Sequence, residues 1–561
     1  MQKFSQMPYE RIDVEALKAK FTQLLDEFKA ANDYPQAKEA FKKLEDLSTE
    51  METGLSIAYV RNTIDTRDEF YDGEINFINQ TMPGVSLMWQ DFTKAFLDNP
   101  FLGEFEKEYG SMFIKNAKES LKLQKESAIP LQIKSSELEM EYQKAAAACT
   151  TTFMGEECNF YGLLKFMEDD DREVRKNAFK AWADLYASAA PTLDKVYIQL
   201  VDIRKQLAKE LGFSDYIEMS YLSRGRYDYD KNDVERFRQQ IVDVVVPVCV
   251  RLREEQRARI GVDKLHYYDE NYMFTDGNAM PIGGQEELVA AASQMYRELS
   301  NETGEFFDFM TTYELFDLTT RPGKHLGGYC TSFPAYKAPF IFSNFNGTSA
   351  DVDVLTHEAG HAFQAYVAMR CQEIEDNMGS TSEINEIHSM AMELFTYPWM
   401  EKFFGENADK YRYSHICDAL FVLPYMCAVD EFQHRVFELE DASDPMVFRA
   451  IWHELEAKYM PWRDYDGNEF LEGGGFWMQK QHIFLYPFYY IDYALAQIAV
   501  FDLYGQMKSD HKGAWERYIT LCRAGGSKGY FELLGLAGIR IPFEDGAVKA
   551  AVENLTDVIG K

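Results

Sequence analysis

Two histidines and a glutamate are spaced in this sequence so that they can bind and use a metal ion. His357, Glu358 and His361 form the pattern HExxH within a stretch that has helical periodicity. Successive residues of an α-helix are turned by about 100°, so positions four apart project from the same face. His357 and His361 can therefore present two imidazole nitrogens to one tetrahedral zinc ion. Glu358 would lie at the edge of this metal site, where its carboxylate can hold and deprotonate a water molecule.

Apolar residues flank this motif on both sides and favour a helix that is buried. They are Val352, Val354, Leu355, Ala362 and Phe363. Buried histidines and a buried glutamate need polar partners, and a metal ion supplies one. The alternative is a chance match to HExxH on an ordinary helix whose histidine and glutamate side chains face solvent.

A second helix downstream carries candidates for a third metal ligand, which a catalytic zinc ion requires. The run from Ser380 to Glu383 is typical of a capping box that opens a helix. The candidates are Glu383, Glu386, His388 and Glu393. Spacing alone does not choose among them. Glu386, Ser389 and Glu393 share one helix face, so a ligand at Glu386 can have the other two as hydrogen-bonding partners. The alternative is a solvated acidic helix face.

A histidine and four tyrosines lie close together late in the chain, shortly after the glycine run at residues 473–475. They are His482, Tyr486, Tyr489, Tyr490 and Tyr493. A tyrosine hydroxyl needs a hydrogen-bond partner when it is buried, so this density exceeds what packing alone requires. The alternative is an aromatic stripe in the core.

Most of the chain has the spacing of amphipathic helices. Asp13 can cap the first of them. The apolar residues that follow it are Leu17, Phe21, Leu24, Leu25 and Phe28. Strand-like segments are few: Thr150–Phe153 and Asn159–Leu163 flank a turn at Gly155, and residues 326–345 precede the HExxH motif. We therefore predict a mainly α fold with a few short strands beside the HExxH helix.

The composition excludes several classes of function. Among 561 residues, 92 acidic and 58 basic side chains give a net charge of -34, which repels nucleic acids and anionic lipid surfaces. No run approaches the roughly 18 apolar residues of a membrane helix, and no secretory signal is visible. The eight cysteines are scattered, without a CxxC pair. We expect a cytoplasmic protein without nucleic-acid or membrane partners, either a monomer or a homo-oligomer.

The neighbourhood of the HExxH motif resembles the oligoendopeptidase F branch of the thimet oligopeptidase family. Residues 344–364 read NFxxxxxDVDVLTHEAGHAFQ, and Glu386 follows His361 by 25 residues in EIHSMAME. Other similar segments are Phe316 to Cys330, DREVRKNAF from Asp171, and AGGSKGYFELLGLAGI from Ala524. Together these segments span most of the chain.

The resemblance implies a zinc-dependent endopeptidase that hydrolyses internal peptide bonds of short unfolded oligopeptides. His357, His361 and Glu386 would bind one zinc ion per chain, and Glu358 would be the catalytic base. It also implies a mainly helical, elongated body with a deep central channel. Residues 1–195 would form an N-terminal helical domain that is one wall of the channel, and residues 196–561 would form the catalytic domain.

The resemblance also implies roles for the aromatic segment. His482 and Tyr493 would donate hydrogen bonds to the oxyanion that develops during hydrolysis. The residues that would bind the substrate are Tyr486, Tyr489, Tyr490 and Gly328.

Two other functions stay open. A peptidyl-dipeptidase or carboxypeptidase of a related HExxH family would need a cationic or tyrosine clamp for the free carboxylate of its substrate. A helical binding or scaffold protein would use the metal structurally. A structural zinc ion normally has a fourth protein ligand, and no cysteine or histidine stands nearby at finger-like spacing.

Overall fold

A computed structural model describes residues 1–560 of the chain, and α-helices make up most of it. The helices of these residues are α1 Val14–Lys29, α2 Tyr34–Ile64, α3 Glu69–Leu97, α4 Leu102–Tyr109, α5 Ser111–Lys122, α6 Ile129–Ala147, α7 Phe160–Leu164, α8 Arg172–Leu211, α9 Tyr216–Ser223, α10 Lys231–Gln240, α11 Val246–Ile260, α12 Gln285–Leu299, α13 Asn301–Thr312, α14 Ala350–Cys371, α15 Ser382–Phe395, α16 Glu401–Phe404, α17 Ala408–Glu438, α18 Pro445–Tyr459, α19 Glu469–Glu472, α20 Gln481–Leu485, α21 Ile491–Ser509, α22 His511–Ala524, α23 Tyr530–Leu536, α24 Ala547–Glu553 and α25 Thr556–Ile559. The strands are β1 Thr151–Phe153, β2 Glu156–Cys158, β3 Phe316–Thr319, β4 Tyr329–Phe333 and β5 Ala338–Phe345. The prediction of a mainly α fold with a few short strands is confirmed.

The chain folds into two compact units, each built from three separate stretches of sequence. The first unit contains residues 1–121, 280–408 and 506–539, and the second contains residues 122–279, 409–505 and 540–561. The predicted boundary after residue 195 lies within α8, inside the second unit. The assignment of separate roles to residues 1–195 and 196–561 stays a prediction.

Aromatic side chains form the core of the first unit around its N-terminal helices. α1 begins where the sequence predicts, because the Asp13 side chain accepts a hydrogen bond of 3.0 Å from the Ala16 N–H. Phe28, Phe41 and Phe105 are fully buried. The ring of Phe105 lies 6.1 Å from Phe28 and 5.3 Å from Phe41, centroid to centroid. These contacts pack α1, α2 and α4 together.

A three-stranded sheet in the first unit immediately precedes the HExxH helix, α14. β5 is the central strand and pairs in parallel with β3 and antiparallel with β4. β5 is apolar and buried at nearly every position, as is usual for a covered central strand. β4 pairs only with β5 among the described strands, so it is an edge strand of the sheet. β4 and β5 both contact α14, so the strands lie beside the HExxH helix as predicted.

The prediction of a strand at Asn159–Leu163 is wrong. The hairpin around Gly155 is present, but its second strand ends at Cys158. The Asn159 side chain accepts a hydrogen bond of 2.8 Å from the Gly162 N–H and so caps α7. An asparagine that bonds its own following backbone in this way starts a helix and does not continue a strand.

Buried ion pairs connect distant stretches of the second unit. Arg226 lies 2.5 Å from Asp492, and Arg238 lies 2.5 Å from Asp430. All four side chains are almost completely buried. Separating the two partners of such a pair would leave an uncompensated buried charge. Each pair therefore favours the arrangement in which its two segments stay in contact.

Within residues 1–560, no helix is both long enough and apolar enough to cross a membrane. The eight cysteines are free thiols, and five of them are buried.

Candidate metal centre and active site

Two histidines and one glutamate from neighbouring helices converge in the first unit. His357 and His361 lie on α14 and Glu386 lies on α15. One potential ligand atom from each lies within 4.8 Å of the other two. Glu386 Oε2 is 3.5 Å from Nε2 of His357 and 3.5 Å from Nε2 of His361. Two imidazole nitrogens and a carboxylate oxygen around one point are a donor set of catalytic zinc sites, so these residues fit that metal.

A glycine between the two histidines lets α15 approach α14 closely. A β-carbon added at Gly360 would lie 2.7 Å from the carbonyl oxygen of His388 and 2.7 Å from the Cα of Ser389. Both contacts are to backbone atoms, which cannot move aside as the end of a flexible side chain can. The close approach places Glu386, one turn earlier on α15, beside the histidines.

Two further residues of α15 orient the clustered side chains. His357 Nδ1 donates to Glu393 Oε1 at 2.6 Å, which leaves Nε2 to face Glu386. Ser389 Oγ donates to Glu386 Oε2 at 3.0 Å. Ser389 thus has the contact that the shared helix face predicts, whereas Glu393 binds His357 in place of Glu386. Hydrogen bonds of this kind fix the tautomer and orientation of metal-binding residues.

The charges of the cluster favour a positive charge at its centre. Burial lowers the pKa of His357, but hydrogen bonds from its ring to Glu386 and Glu393 outweigh burial and hold this pKa well above its ordinary value. Burial raises the pKa of Glu386, but the two histidines outweigh it and keep that carboxyl ionised. A cation is therefore stabilised between these side chains.

Glu393 gives a test of this arrangement. We expect Glu393→Gln to lower metal affinity or activity by about 10- to 100-fold, because the amide no longer supplies a negative charge to His357 Nδ1–H. Metal titration with a competing chromophoric chelator, together with turnover, measures the effect. Glu302→Gln, on an exposed carboxylate of α13, is the control. Wild-type metal affinity and turnover in Glu393→Gln would contradict the orienting role.

The half-buried Glu358 follows His357 on α14 and is not part of the metal-ligand cluster. Burial raises its pKa above the ordinary value of 4.5. A β-carbon placed on Gly328 would lie 3.9 Å from Glu358 Oε1 and 3.4 Å from the Phe342 carbonyl oxygen. The predicted substrate-binding Gly328, which precedes β4, therefore lies next to the carboxylate that is predicted to be the base.

The predicted aromatic cluster also forms, in the second unit. The ring of His482 lies 5.9 Å from Tyr486, 5.9 Å from Tyr489 and 4.8 Å from Tyr490. The hydroxyls of Tyr489 and Tyr493 are 3.1 Å apart. These five residues, His482, Tyr486, Tyr489, Tyr490 and Tyr493, are called the His482 cluster below.

The imidazole of the His482 cluster is held neutral. Burial lowers the pKa of His482 to about 4, and the positive charges of Lys480 and Arg224 lower it in the same direction. At neutral pH one ring nitrogen therefore carries a proton that it can donate, and the other can accept. Lys480 and Arg224 had no signal in the sequence, because a single basic residue outside a motif resembles any surface cation.

The remaining candidates on α15 do not join the metal-ligand cluster. His388 is buried, and its Nδ1 lies 3.5 Å from the sulfur of Cys522. The predicted capping box from Ser380 to Glu383 does not form: the residue that precedes α15 is Thr381, and its side chain makes no capping hydrogen bond. Instead Asn385 Nδ2 donates to the Ser380 carbonyl oxygen at 3.1 Å.

Comparison with known proteins identifies the family. A family model described as the peptidase M3 N-terminal domain matches residues 4–124, and one described as peptidase family M3 matches residues 165–281 and 295–553. The second match alone covers more than half of the chain. The chain belongs to peptidase family M3.

Relatives place this M3 peptidase in the oligoendopeptidase F branch. A structure of PZ peptidase A with an inhibitor is 45% identical, with a TM-score of 0.92, and the match covers 100% of this chain and 98% of the other. A structure described as an oligoendopeptidase F from Bacillus anthracis is 39% identical, with a TM-score of 0.88, covering 100% and 98%. An oligoendopeptidase F homologue of Borreliella burgdorferi is 25% identical over 70% of this chain, and the match spans 65% of the relative's own length.

Proposed function

We propose that this M3 peptidase is a zinc-dependent endopeptidase that cleaves internal bonds of short, unfolded oligopeptides. The observation that carries the proposal is the convergence of His357, His361 and Glu386 beside Glu358. The three converging residues would hold one zinc ion per chain. When bound, zinc supplies Lewis-acid chemistry, which lowers the pKa of water and polarises a scissile carbonyl.

Glu358 would move the protons of the reaction. In this role its carboxylate accepts a proton from the attacking water and later delivers it to the leaving amine. The raised pKa of Glu358 supports the role, since a base works best when its pKa lies closer to the working pH. The hydrogen bonds of Ser389 and Glu393 restrain Glu386 and His357, so the ligands would stay in place while protons move.

Residues of the His482 cluster would stabilise the oxyanion. The neutral imidazole of His482 and the hydroxyl of Tyr493 are both hydrogen-bond donors. Removing one such donor costs about 2.7 to 4 kcal/mol of transition-state stabilisation in well-studied sites. Tyr486, Tyr489 and Tyr490 would contact the substrate around these donors.

An extended peptide would lie along β4. This strand has a free edge among the described strands and directly follows Gly328, whose missing side chain leaves room beside Glu358. An edge strand offers unpaired backbone groups that add an extended peptide by hydrogen bonding, without selecting its sequence. Binding of this kind requires an unfolded substrate.

Mass spectrometry of a peptide ladder tests the proposal. Unstructured peptides, from short oligomers to a denatured protein, are incubated with the purified chain, with a zinc chelator, and with chelator followed by zinc. We expect internal cuts confined to short peptides, abolished by the chelator and restored by zinc. Chelator-insensitive cleavage would contradict the role of the metal.

The same experiment separates the alternatives. Stepwise loss of single residues from C-termini would assign a carboxypeptidase, and release of C-terminal dipeptides would assign a peptidyl-dipeptidase. Metal binding without cleavage of any peptide would assign a binding or scaffold protein.

A further inference from the structure

A cavity of about 240 Å³ lies beside the His482 cluster, within the second unit. It is smaller than the roughly 300 to 1,000 Å³ of pockets that hold drug-sized ligands, so it suits part of a ligand such as one terminal residue of a peptide. The aromatic and basic side chains that line it are Phe160, Trp182, Tyr186, Tyr267, Lys480 and His482.

One wall of the cavity is a continuous aromatic surface. The rings of Phe160 and Tyr186 stack with centroids 3.8 Å apart. Trp182 lies 4.8 Å from Tyr186 and 5.8 Å from Tyr267. Four rings in contact hold one another in place and present an apolar face. Such a face favours an apolar or aromatic side chain of a ligand.

The cavity also contains a lysine without an acidic partner. Lys480 Nζ donates to the Tyr490 hydroxyl at 3.2 Å and lies 4.3 Å from the centre of the Tyr490 ring and 5.4 Å from that of Tyr425. It forms no ion pair with any described carboxylate, although the chain has a net charge of -34. Burial lowers its pKa to about 8, so it is still mostly charged at neutral pH. The half-buried ammonium group thus lacks a counter-charge among the described residues, whereas charges shielded from water are normally paired.

Other groups around the lysine add positive potential or donors. Arg224 lies over the Tyr489 ring at 5.1 Å and donates to the Pro487 carbonyl oxygen, and it too forms no ion pair with a described carboxylate. His482 Nδ1 is buried without a hydrogen-bond partner among the described residues. A buried polar atom without a partner is rare in native structures and indicates a missing one. Lys480, which lines the cavity and has no carboxylate partner, therefore favours an anionic ligand there, and Arg224 adds positive charge next to His482.

We propose that this cavity binds the carboxylate-bearing terminal residue of a peptide substrate, with Lys480 on the carboxylate and the aromatic wall on the side chain. The inference rests on the proposed oligopeptidase function and extends it to recognition of the substrate's C-terminus. A peptidyl-dipeptidase or carboxypeptidase would need a clamp of the same kind, and the positions of the cuts in the peptide ladder distinguish these enzymes from an endopeptidase. A free carboxylate and an apolar side chain leave the same Cα only at a peptide's C-terminal residue. An aspartate or glutamate side chain would supply the carboxylate but leave the aromatic wall unfilled.

Three forms of one peptide test the inference. The peptide ends in phenylalanine and is one that the wild-type enzyme cuts internally. It is prepared as the free acid, as the C-terminal amide, and as a C-terminal amide in which glutamate replaces the last phenylalanine. We expect the amide to show a KM about 10- to 100-fold higher than the free acid, as is typical when a hydrogen bond to a charged group is lost, with little change in kcat. Recovery of the low KM by the glutamate amide would overturn the assignment to the C-terminus.

Variants of the lysine locate the effect. In Lys480→Met the ratio of the amide KM to the free-acid KM should fall to about 1, whereas Lys480→Arg, which keeps the charge, should retain a clear preference for the free acid. Lys180→Met, at an exposed lysine of α8 in the same unit, is the matched control and should keep the wild-type ratio. A wild-type ratio in Lys480→Met would overturn the inference.

The outcomes distinguish this inference from the proposed function. If the peptide ladder yields no peptide that the wild-type enzyme cuts internally, the oligopeptidase function itself fails. If it cuts both with the same KM, only carboxylate recognition fails. The wild-type comparison needs no substitution, so it stands even where Lys480→Met does not fold.

Discussion

Glu358→Gln is expected to lower kcat by about 10²- to 10⁴-fold, the range that general acid–base catalysis contributes, while the chain keeps its metal. Glutamine has nearly the size of glutamate but cannot accept a proton at neutral pH. Glu358 is not one of the clustered ligand residues, so its replacement leaves the donor atoms of His357, His361 and Glu386 in place. The metal content should stay at one equivalent per chain, measured by elemental analysis after gel filtration.

A matched variant guards against a general effect of charge removal. Glu302 is an exposed glutamate of α13 in the same unit, and Glu302→Gln should keep both metal and turnover. Turnover of Glu358→Gln within tenfold of the wild type, with full metal content, would remove Glu358 from the role of base. Loss of metal in Glu358→Gln would show instead that this carboxylate helps to form the metal site.

Local periodicity predicts the part of the site that lies on one helix. His357 and His361 are four residues apart, and an α-helix places such residues on the same face whatever packs around it. The third ligand is different, because it depends on how a second helix packs against the first. Spacing left four candidates on α15, and the resemblance to the oligoendopeptidase F branch pointed to Glu386, which is the residue that the fold places beside the histidines.

Contacts between segments were the part that the sequence did not predict. The shared face of α15 identified Ser389 and Glu393 as partners of the site, but not that Glu393 reaches across to His357. The cavity around Lys480 joins residues from α7 and α8 with the segment before α20, about 300 positions later along the chain. No pattern of spacing within one segment predicts a contact between segments so far apart in the sequence.

The errors have local physical causes. Asn159–Leu163 has the composition of a short strand, but the asparagine side chain can bond its own backbone, and here that bond starts a helix. The capping box before α15 does not form, and the Ser380 N–H, which the Glu383 side chain would have bound, donates to Asn385 Oδ1 at 3.3 Å. In both cases two local hydrogen-bonding patterns compete, and the sequence pattern alone does not rank them.

Gly360→Ala should weaken metal binding by about a hundredfold or more, because it separates α14 from α15. Glu386 and Glu393 both lie on α15, so a shift of this helix moves the proposed metal ligand and the partner of His357 together. Loss of one orienting partner alone typically costs about 10- to 100-fold. Metal affinity by competition with a chromophoric chelator, and turnover on a cleaved peptide, measure the loss.

Thermal stability gives a second test of this prediction, because the direction of the change in Tm shows whether the added β-carbon is accommodated. Alanine in place of a glycine inside a helix normally stabilises it by about 0.5 to 1 kcal/mol. At Gly360 the added β-carbon meets two backbone atoms at 2.7 Å, and overpacking typically costs about 1 to 3 kcal/mol, so the net effect should be a lower Tm. Gly54→Ala is the matched control, since Gly54 lies inside α2 with nothing within 4 Å of its added β-carbon, and it should hold or raise Tm. A higher Tm with unchanged metal affinity in Gly360→Ala would mean that the two helices can separate slightly without losing the site, and that the close approach does not position Glu386.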